Sequence, residues 1–216
     1  MEIGALGRRF WETTRGQVVS LLRRGSQTVD EMARALGVTD NAVRSHLASL
    51  ERDGLVRQEG VRRVPGAGKP AVLYELHPDA APMLSRAYAP VLVALVDVLL
   101  EELPTHQTEA IFRQVGRRLA TAVGGRASGD LATRLCAAAR VIEALGGDVQ
   151  VEATTAGHRI RGSGCPLSSV VGHQPEFCKT VETLVGEIVG GPVQSCCEHG
   201  TRPRCCFSVE EADFAA

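Results

Sequence analysis

The chain is predicted to be α+β, and three observations carry the prediction. Apolar residues recur at helical spacing through long stretches of the first 145 positions. Alternating or β-branched runs replace that pattern at 55–76 and again at 149–161. Six of the seven cysteines then crowd into one stretch near the C-terminus: Cys165, Cys178, the pair Cys196 and Cys197, and the pair Cys205 and Cys206. Thiols that merely pack scatter through a sequence. Crowded into a Gly- and Pro-rich stretch, they imply a soft metal, a cluster or a disulfide staple.

In the first stretch, Phe10, Thr14, Val18, Leu21 and Leu22 share one face of a helix over 7–24, which Gly25 ends. Thr28 opens a second helix over 29–36, and Glu31 three residues later completes a capping box. Met32, Ala33 and Leu36 face inward. Gly37 supplies a turn, and Thr39 caps a third helix over 40–52 whose buried stripe is Val43, Leu47 and Leu50. Helix, Gly-containing turn, helix is a helix-turn-helix. The polar face of the third helix carries Asn41, Arg44, Ser45, His46 and Ser49, side chains suited to base edges and phosphates in a major groove. A basic hairpin follows, with arms at 55–58 and 71–76 and a cationic tip containing Arg62, Arg63 and Lys69. Gly66, Gly68 and Lys69 do not make a phosphate loop, because the long Gly-x4-Gly-Lys-Ser/Thr spacing is missing and Pro70 disfavours a following helix. The N-terminal module, residues 1–78, therefore reads as a winged helix-turn-helix that contacts DNA through Thr39, Asn41, Arg44, Ser45, His46, Arg62, Arg63 and Lys69.

Charge permits that partner without demanding it. Residues 1–77 carry 12 Lys and Arg against 9 Asp and Glu, a balance of +3, while residues 78–216 carry 12 against 16, a balance of −4. No signal peptide is expected at the start, since residues 1–7 lack an apolar core. The most apolar run, 91–100, contains Asp97 and falls short of the ~20 residues a membrane span needs. A cytoplasmic protein is expected, in surroundings where thiols stay reduced and structural disulfides are uncommon.

Central helices are predicted over 79–123. Leu84, Tyr88, Val91, Leu95 and Val98 alternate at spacings of four and three, with Leu92 and Leu99 beside them. Pro90 is expected to kink or split this segment, because an interior proline costs about 3 kcal/mol. A protein reading a two-fold operator needs a dimer, and these helices are the natural place for it. Further helices are predicted over 107–122 and 130–145; Cys136, on the second of these, is expected to be a buried small hydrophobe outside any site.

Residues 124–216 read as a small α+β cysteine-rich sensor domain. A hairpin is predicted over 149–161, and Cys178 opens a helix to about 189, where the dipole favours thiolate. Neighbours in an extended chain point to opposite sides, so Cys205 shares a face with Phe207 and Val209, while Cys206 faces away with Ser208. The apolar face is the one that shields a cluster, which favours Cys205. No Cys-x2-Cys hook or paired His marks a common zinc module, and widely spaced thiols fit an iron–sulfur cluster better. No enzyme is expected: Ser163, His158 and Asp148 lack any recognised nucleophile–base spacing.

The ordered string of residues 28–56, with Gly68-Lys69-Pro70 and Leu73-Tyr74-Glu75-Leu76 behind it, closely resembles bacterial winged-helix repressors of the ArsR/DeoR type. In the tail, Gly164-Cys165-Pro166-Leu167, Pro175-Glu176-Phe177-Cys178 and a terminal Cys-x-Phe resemble the SufR-type repressors of iron–sulfur assembly operons, which join a winged helix to a cysteine-ligated [4Fe–4S] cluster. Carried on rigidly, that family's remaining two cysteines fall at Pro192 and Phe207. The run Cys196-x3-Gly200-x4-Cys205-x-Phe207 resembles instead the tail of vinyl-reductase-like ligand domains. The resemblance implies a homodimeric repressor on double-stranded operator DNA, bearing a [4Fe–4S] cluster that Cys165 and Cys178 fit directly, with Cys205 added on its facing and Cys196 on the second spacing. Cys197, Cys206 and His199 stand as alternates, Cys196 being preferred to Cys197 on family spacing. Zinc, haem or a small ligand are the alternative effectors.

Overall fold

A computed structural model describes residues 5–63, 70–85 and 87–214. The chain divides into two compact units, Met1–Ala87 and Tyr88–Ala216.

The first unit begins with α1 (Ala5–Glu12) and α2 (Thr14–Leu22). These replace the single helix expected over 7–24. Thr13 adopts an extended backbone and its hydroxyl accepts from the Gly16 N–H at 3.1 Å, capping α2 and ending α1 at the same residue. A short strand β1 (Gln27–Thr28) leads into α3 (Val29–Leu36). Its capping box is complete: the Thr28 N–H donates to Glu31 Oε2 at 2.8 Å, and the Glu31 N–H donates back to Thr28 Oγ1. Gly37 turns the chain at φ 67°, a left-handed value a side chain would strain. Thr39 then caps α4 (Asp40–Arg52). The hairpin is β2 (Val56–Arg62) and β3 (Ala71–Leu76), antiparallel with an irregularity at Glu59, and β1 joins β3 on the other side. A short helix α5 (Ala80–Met83) closes the unit. Val18, Val19, Met32, Val43, Leu47 and Leu50 are buried in one core, and each large apolar side chain stabilises the fold by about 1.5–3 kcal/mol. Residues 64–69, with Lys69 among them, lie outside the described residues.

The second unit opens with α6 (Tyr88–Glu102) and α7 (Thr105–Ala122). Pro90 neither kinks nor splits α6; it stands in the first turn, where its missing N–H has no intrahelical partner to lose. Next come α8 (Leu131–Ala144), β4 (Val149–Thr154), β5 (Gly157–Gly162), α9 (Ser168–Val171) and α10 (Cys178–Val189). Strands β6 (Gln194–Ser195) and β7 (Cys206–Glu210) complete an antiparallel sheet of order β4-β5-β7-β6. Helix α10 packs against both α7 and α8, and α8 and α10 pack against the sheet. Gly116 lets α7 approach α10 so closely that a Cβ there would meet the Thr180 carbonyl oxygen at 2.4 Å. Arg134 of α8 is buried, donating to the Val189 carbonyl at 2.7 Å. The core around Leu135, Ile142, Ile160, Leu184 and Phe207 meets a second cluster of Val96, Phe112, Val170, Val171 and Phe177; Cys165 and Cys197 touch both. Cys136 points the other way from Leu135 and Ala138 and is exposed rather than buried.

Candidate metal centre and nucleic-acid face

Six thiols reach the second unit's sheet and helices, and the β6–β7 register sorts them. Gln194 opposes Ser208, Ser195 opposes Phe207, and Glu198 opposes Arg204. Counting inward from either side sets Cys196 against Cys206 and Cys197 against Cys205. Side chains alternate along a strand, so the two pairs point to opposite faces. Cys205 shares the buried face with Phe207 and Val209. Its partner across the ribbon, Cys197, is half-buried against both apolar clusters. Cys196 is exposed and is disulfide-bonded to Cys206, their Cα atoms 4.8 Å apart.

Cys165 follows the end of β5, where the Gly162 N–H donates to the Cys205 carbonyl at 2.8 Å and the Cys205 N–H to Gly164 O at 3.3 Å. Those bonds bring Cys165 to Cys205. Cys178 is the first residue of α10 and is buried beside Phe177. Four thiols from four segments thus meet: Cys165, Cys178, Cys197 and Cys205. The expected choice of Cys196 is corrected, because the register turns that side chain outward and Cys197 inward. His199 is exposed and lines a cavity of about 330 Å³ beside Cys178, with Glu176, Lys179 and Ser195.

Hydrogen bonds polarise the four. Cys197 is held well below the usual thiol range by donation from Cys178 and Cys205, helped by Ser195 and the Cys206 N–H at 3.2 Å. Cys165 is lowered by Cys205 and, more weakly, by the Leu167 backbone, against the opposing effect of burial. Cys178 is raised because its proton is committed to Cys197, and burial adds to this. Cys205 is raised by its bonds to Cys165 and Cys197, then by burial. Cys197 and Cys165 are thus shifted toward the thiolate by donation from Cys178 and Cys205, and thiols that bind a soft metal release protons as they do so. Among the described residues no three His, Cys, Asp or Glu side chains are already gathered as a site for one metal ion. The Ser163 hydroxyl donates directly to Asp148 at 2.7 Å, with no histidine between them.

In the first unit, Thr39, Asn41, Arg44 and Ser45 are exposed on one end of α4, and His46 is half-buried. Ser49 accepts from Arg15 at 3.0 Å and is occupied within the unit. Arg62 is ion-paired with Glu31, whereas Arg63 is exposed. Helix pair, left-handed glycine turn, solvent-facing polar row and hairpin together define a winged-helix DNA-binding module.

Residues 12–58 match the family described as "Bacterial regulatory protein, arsR family". The similarity covers about a fifth of the chain, and it is to a regulatory helix-turn-helix, the module with which a transcriptional regulator contacts DNA. No curated protein matches the chain. Among solved structures it is similar to the adhesin competence repressor AdcR of Streptococcus pyogenes, at 19% identity and a TM-score of 0.29 over 46% of this chain and 72% of that one. It is also similar to a double mutant of ZitR from Lactococcus lactis in apo form, at 19% identity and a TM-score of 0.28 over 48% and 76%. Both likenesses are too distant to assign a fold or a ligand. No described helix is long and apolar enough to cross a membrane.

Proposed function

We propose that the protein is a homodimeric repressor, cytoplasmic and without catalytic activity, whose operator affinity depends on a cysteine-bound metal centre, a [4Fe–4S] cluster, on Cys165, Cys178, Cys197 and Cys205. The observation that carries this reading is the meeting of four thiols from four separate segments, at the seam of two apolar clusters. An all-thiol, partly shielded donor set suits iron–sulfur chemistry. Bound there, a cluster supplies a redox- and iron-sensitive tie between the segments. The chain's own residues do the rest: Cys197 and Cys165 are the thiols whose pKa is lowered, while Cys178 and Cys205 hold their protons more tightly and give them up on binding. Zinc is the second reading, because four cysteines are the donor set of a structural zinc ion, and the segments that carry them must draw closer to hold one.

Transmission to DNA has a physical route within the second unit. Val170, Val171, Phe177 and Cys178 pack in the cluster that includes Val96 of α6. Gln174 donates to Asp97 of α6 at 2.8 Å. The outer face of α6 carries Tyr88 (65% exposed), Val91 (64%), Leu95 (53%) and Val98 (53%), an apolar stripe that suits a second copy of this chain. Ordering of the thiol segments steadies α6 and with it the contact between copies assigned to its outer face. A coupling of about 1–3 kcal/mol is enough for regulation. In the loaded state the protein represses; loss of the centre releases the operator.

Anaerobic purification followed by iron, sulfide and zinc analysis, an absorption spectrum and operator binding tests this reading. About four iron and four sulfide per chain, with loss of operator binding on chelation, is the expected result. Stoichiometric zinc without a visible band sinks the cluster and keeps the site. Absence of any metal sinks both.

A further inference from the structure

The sulfurs of two of the six crowded cysteines take no part in the thiol network. Cys196 and Cys206 are joined across the β6–β7 ribbon, and the Cys196 N–H donates to the Cys206 carbonyl at 2.7 Å. Their sequence neighbours Cys197 and Cys205 belong to the network. β6 is an edge strand of two residues; beyond the disulfide lie the bonds of Cys197 Sγ to the Cys206 backbone and the Glu198–Arg204 bridge. Much of what keeps Cys197 against Cys205 is therefore the bond next door. That bond is solvent-facing, since Cys196 is exposed and Cys206 only partly covered. A DNA-bound regulator works in surroundings buffered by thiols, where an exposed disulfide responds to redox state.

Resting on the metal-site reading above, we propose that Cys196 and Cys206 form a reversible redox clamp that sets how tightly the neighbouring four-thiol site holds its metal. Closure proceeds by exchange with a small disulfide of the glutathione class. One cysteine thiol attacks it, forming a mixed disulfide and releasing one small thiol. The other cysteine then attacks the mixed disulfide, forming the Cys196–Cys206 bond and releasing the second. The two cysteines lose two electrons and two protons, and the small disulfide takes up both as two thiols. With the clamp closed, Cys197 already faces Cys205. With it open, the ribbon from 196 to 204 swings from β7, and metal binding must order it.

Metal and clamp close nearly the same loop, so each favours the other. Closing a loop of about eleven residues limits the gain to about a hundredfold, and a partly ordered ribbon leaves about tenfold. By linkage, the clamp's midpoint potential falls by about 30 mV for each tenfold in metal affinity.

The test uses the full chain in anaerobic glutathione buffers of graded poise, with Zn(II) and a competing chelator as the probe. Differential alkylation and mass spectrometry map the disulfide. We expect Cys196–Cys206 as the single bond formed, Zn(II) held about tenfold more tightly when it is closed, and a Cys196→Ser/Cys206→Ser variant fixed at the reduced level at every poise. Reduced wild type serves beside the variant as a control for its folding. A different pairing, equal affinity in the two states, or persistent redox dependence in the variant overturns the clamp. If neither state takes up Zn(II), the zinc reading of the site has failed, and amide exchange over 194–209 decides the clamp alone. Faster exchange on reduction upholds it, and unchanged exchange overturns it.

Discussion

Helix α4 and the β6–β7 ribbon each present one row of side chains inward and another outward, with opposite resources. The helix buries Val43, Leu47 and Leu50 and is capped by Thr39, so its shape comes from ordinary apolar packing and backbone bonds. The ribbon buries Cys205, Phe207 and Val209 from one strand, but its other strand is two residues long and stays at its post through a sulfur cross-link and half-buried Cys197. A reader of DNA must hold its geometry whatever the cell's state. A sensor must not. The difference between the regions is thus a difference in which interactions are conditional.

The largest expected effect strikes the ribbon. Cys165→Ser, Cys178→Ser, Cys197→Ser and Cys205→Ser should each abolish stable metal loading, since a serine oxygen is a poor soft-metal ligand. Cys196→Ser should leave measurable metal bound, read as iron, sulfide and zinc content of the purified chain. Wild-type loading in Cys197→Ser would reverse the inner and outer assignment. Loading itself should divide the two regions. On removal of the metal, amide exchange should quicken over 164–209 and 84–99 and stay slow over 40–52. Melting of α4 together with the tail would break the contrast.

Next in size, Leu47→Ala should destabilise the first unit by about 2–5 kcal/mol in denaturant unfolding, through lost burial and the cavity left behind. The same variant should load metal normally. On the operator, Arg44→Ala should cost about 1–3 kcal/mol and relax specificity at one base pair. Arg62→Ala should weaken all sequences alike and flatten the salt dependence by about one unit; because Arg62 already pairs with Glu31, a smaller change would mean that this pair competes with phosphate.

The smallest effect is one of pH. Glu31 is held below the ordinary carboxylate range by the Thr28 N–H, with further help from the Thr28 hydroxyl and Arg62. A depressed folded-state pKa gives stability that is present above the unfolded value and lost as pH falls through the folded one. The first unit should therefore weaken on acidification below the usual carboxylate range, and Glu31→Gln should flatten that slope in urea titrations. An unchanged slope would remove the capping box from the unit's acid response.

Much of this was legible before any coordinates. Caps and glycines are local signals, so Thr28, Glu31, Gly37 and Thr39 marked both helices of the DNA reader. Alternation along one strand was equally local and turned Cys205 inward with Phe207. What failed was what needed a partner. Choosing between Cys196 and Cys197 requires the register of β6 on β7, and family spacing pointed to the member that this register turns outward. Helical periodicity ran across residue 13 because Thr13 can end one helix only by beginning another. Pro90 looked like a break because its position within α6 depends on where that helix starts.

The opposition of Glu198 to Arg204 makes the stretch between them part of the proposed site although it supplies no sulfur. Removing a single residue from that turn would slide one strand by one place and exchange inward for outward along it. Removing or adding a pair on the turn keeps each cysteine on its own side. Tolerance of length there should consequently follow odd and even numbers, so a series of turn variants would read the parity of the ribbon directly.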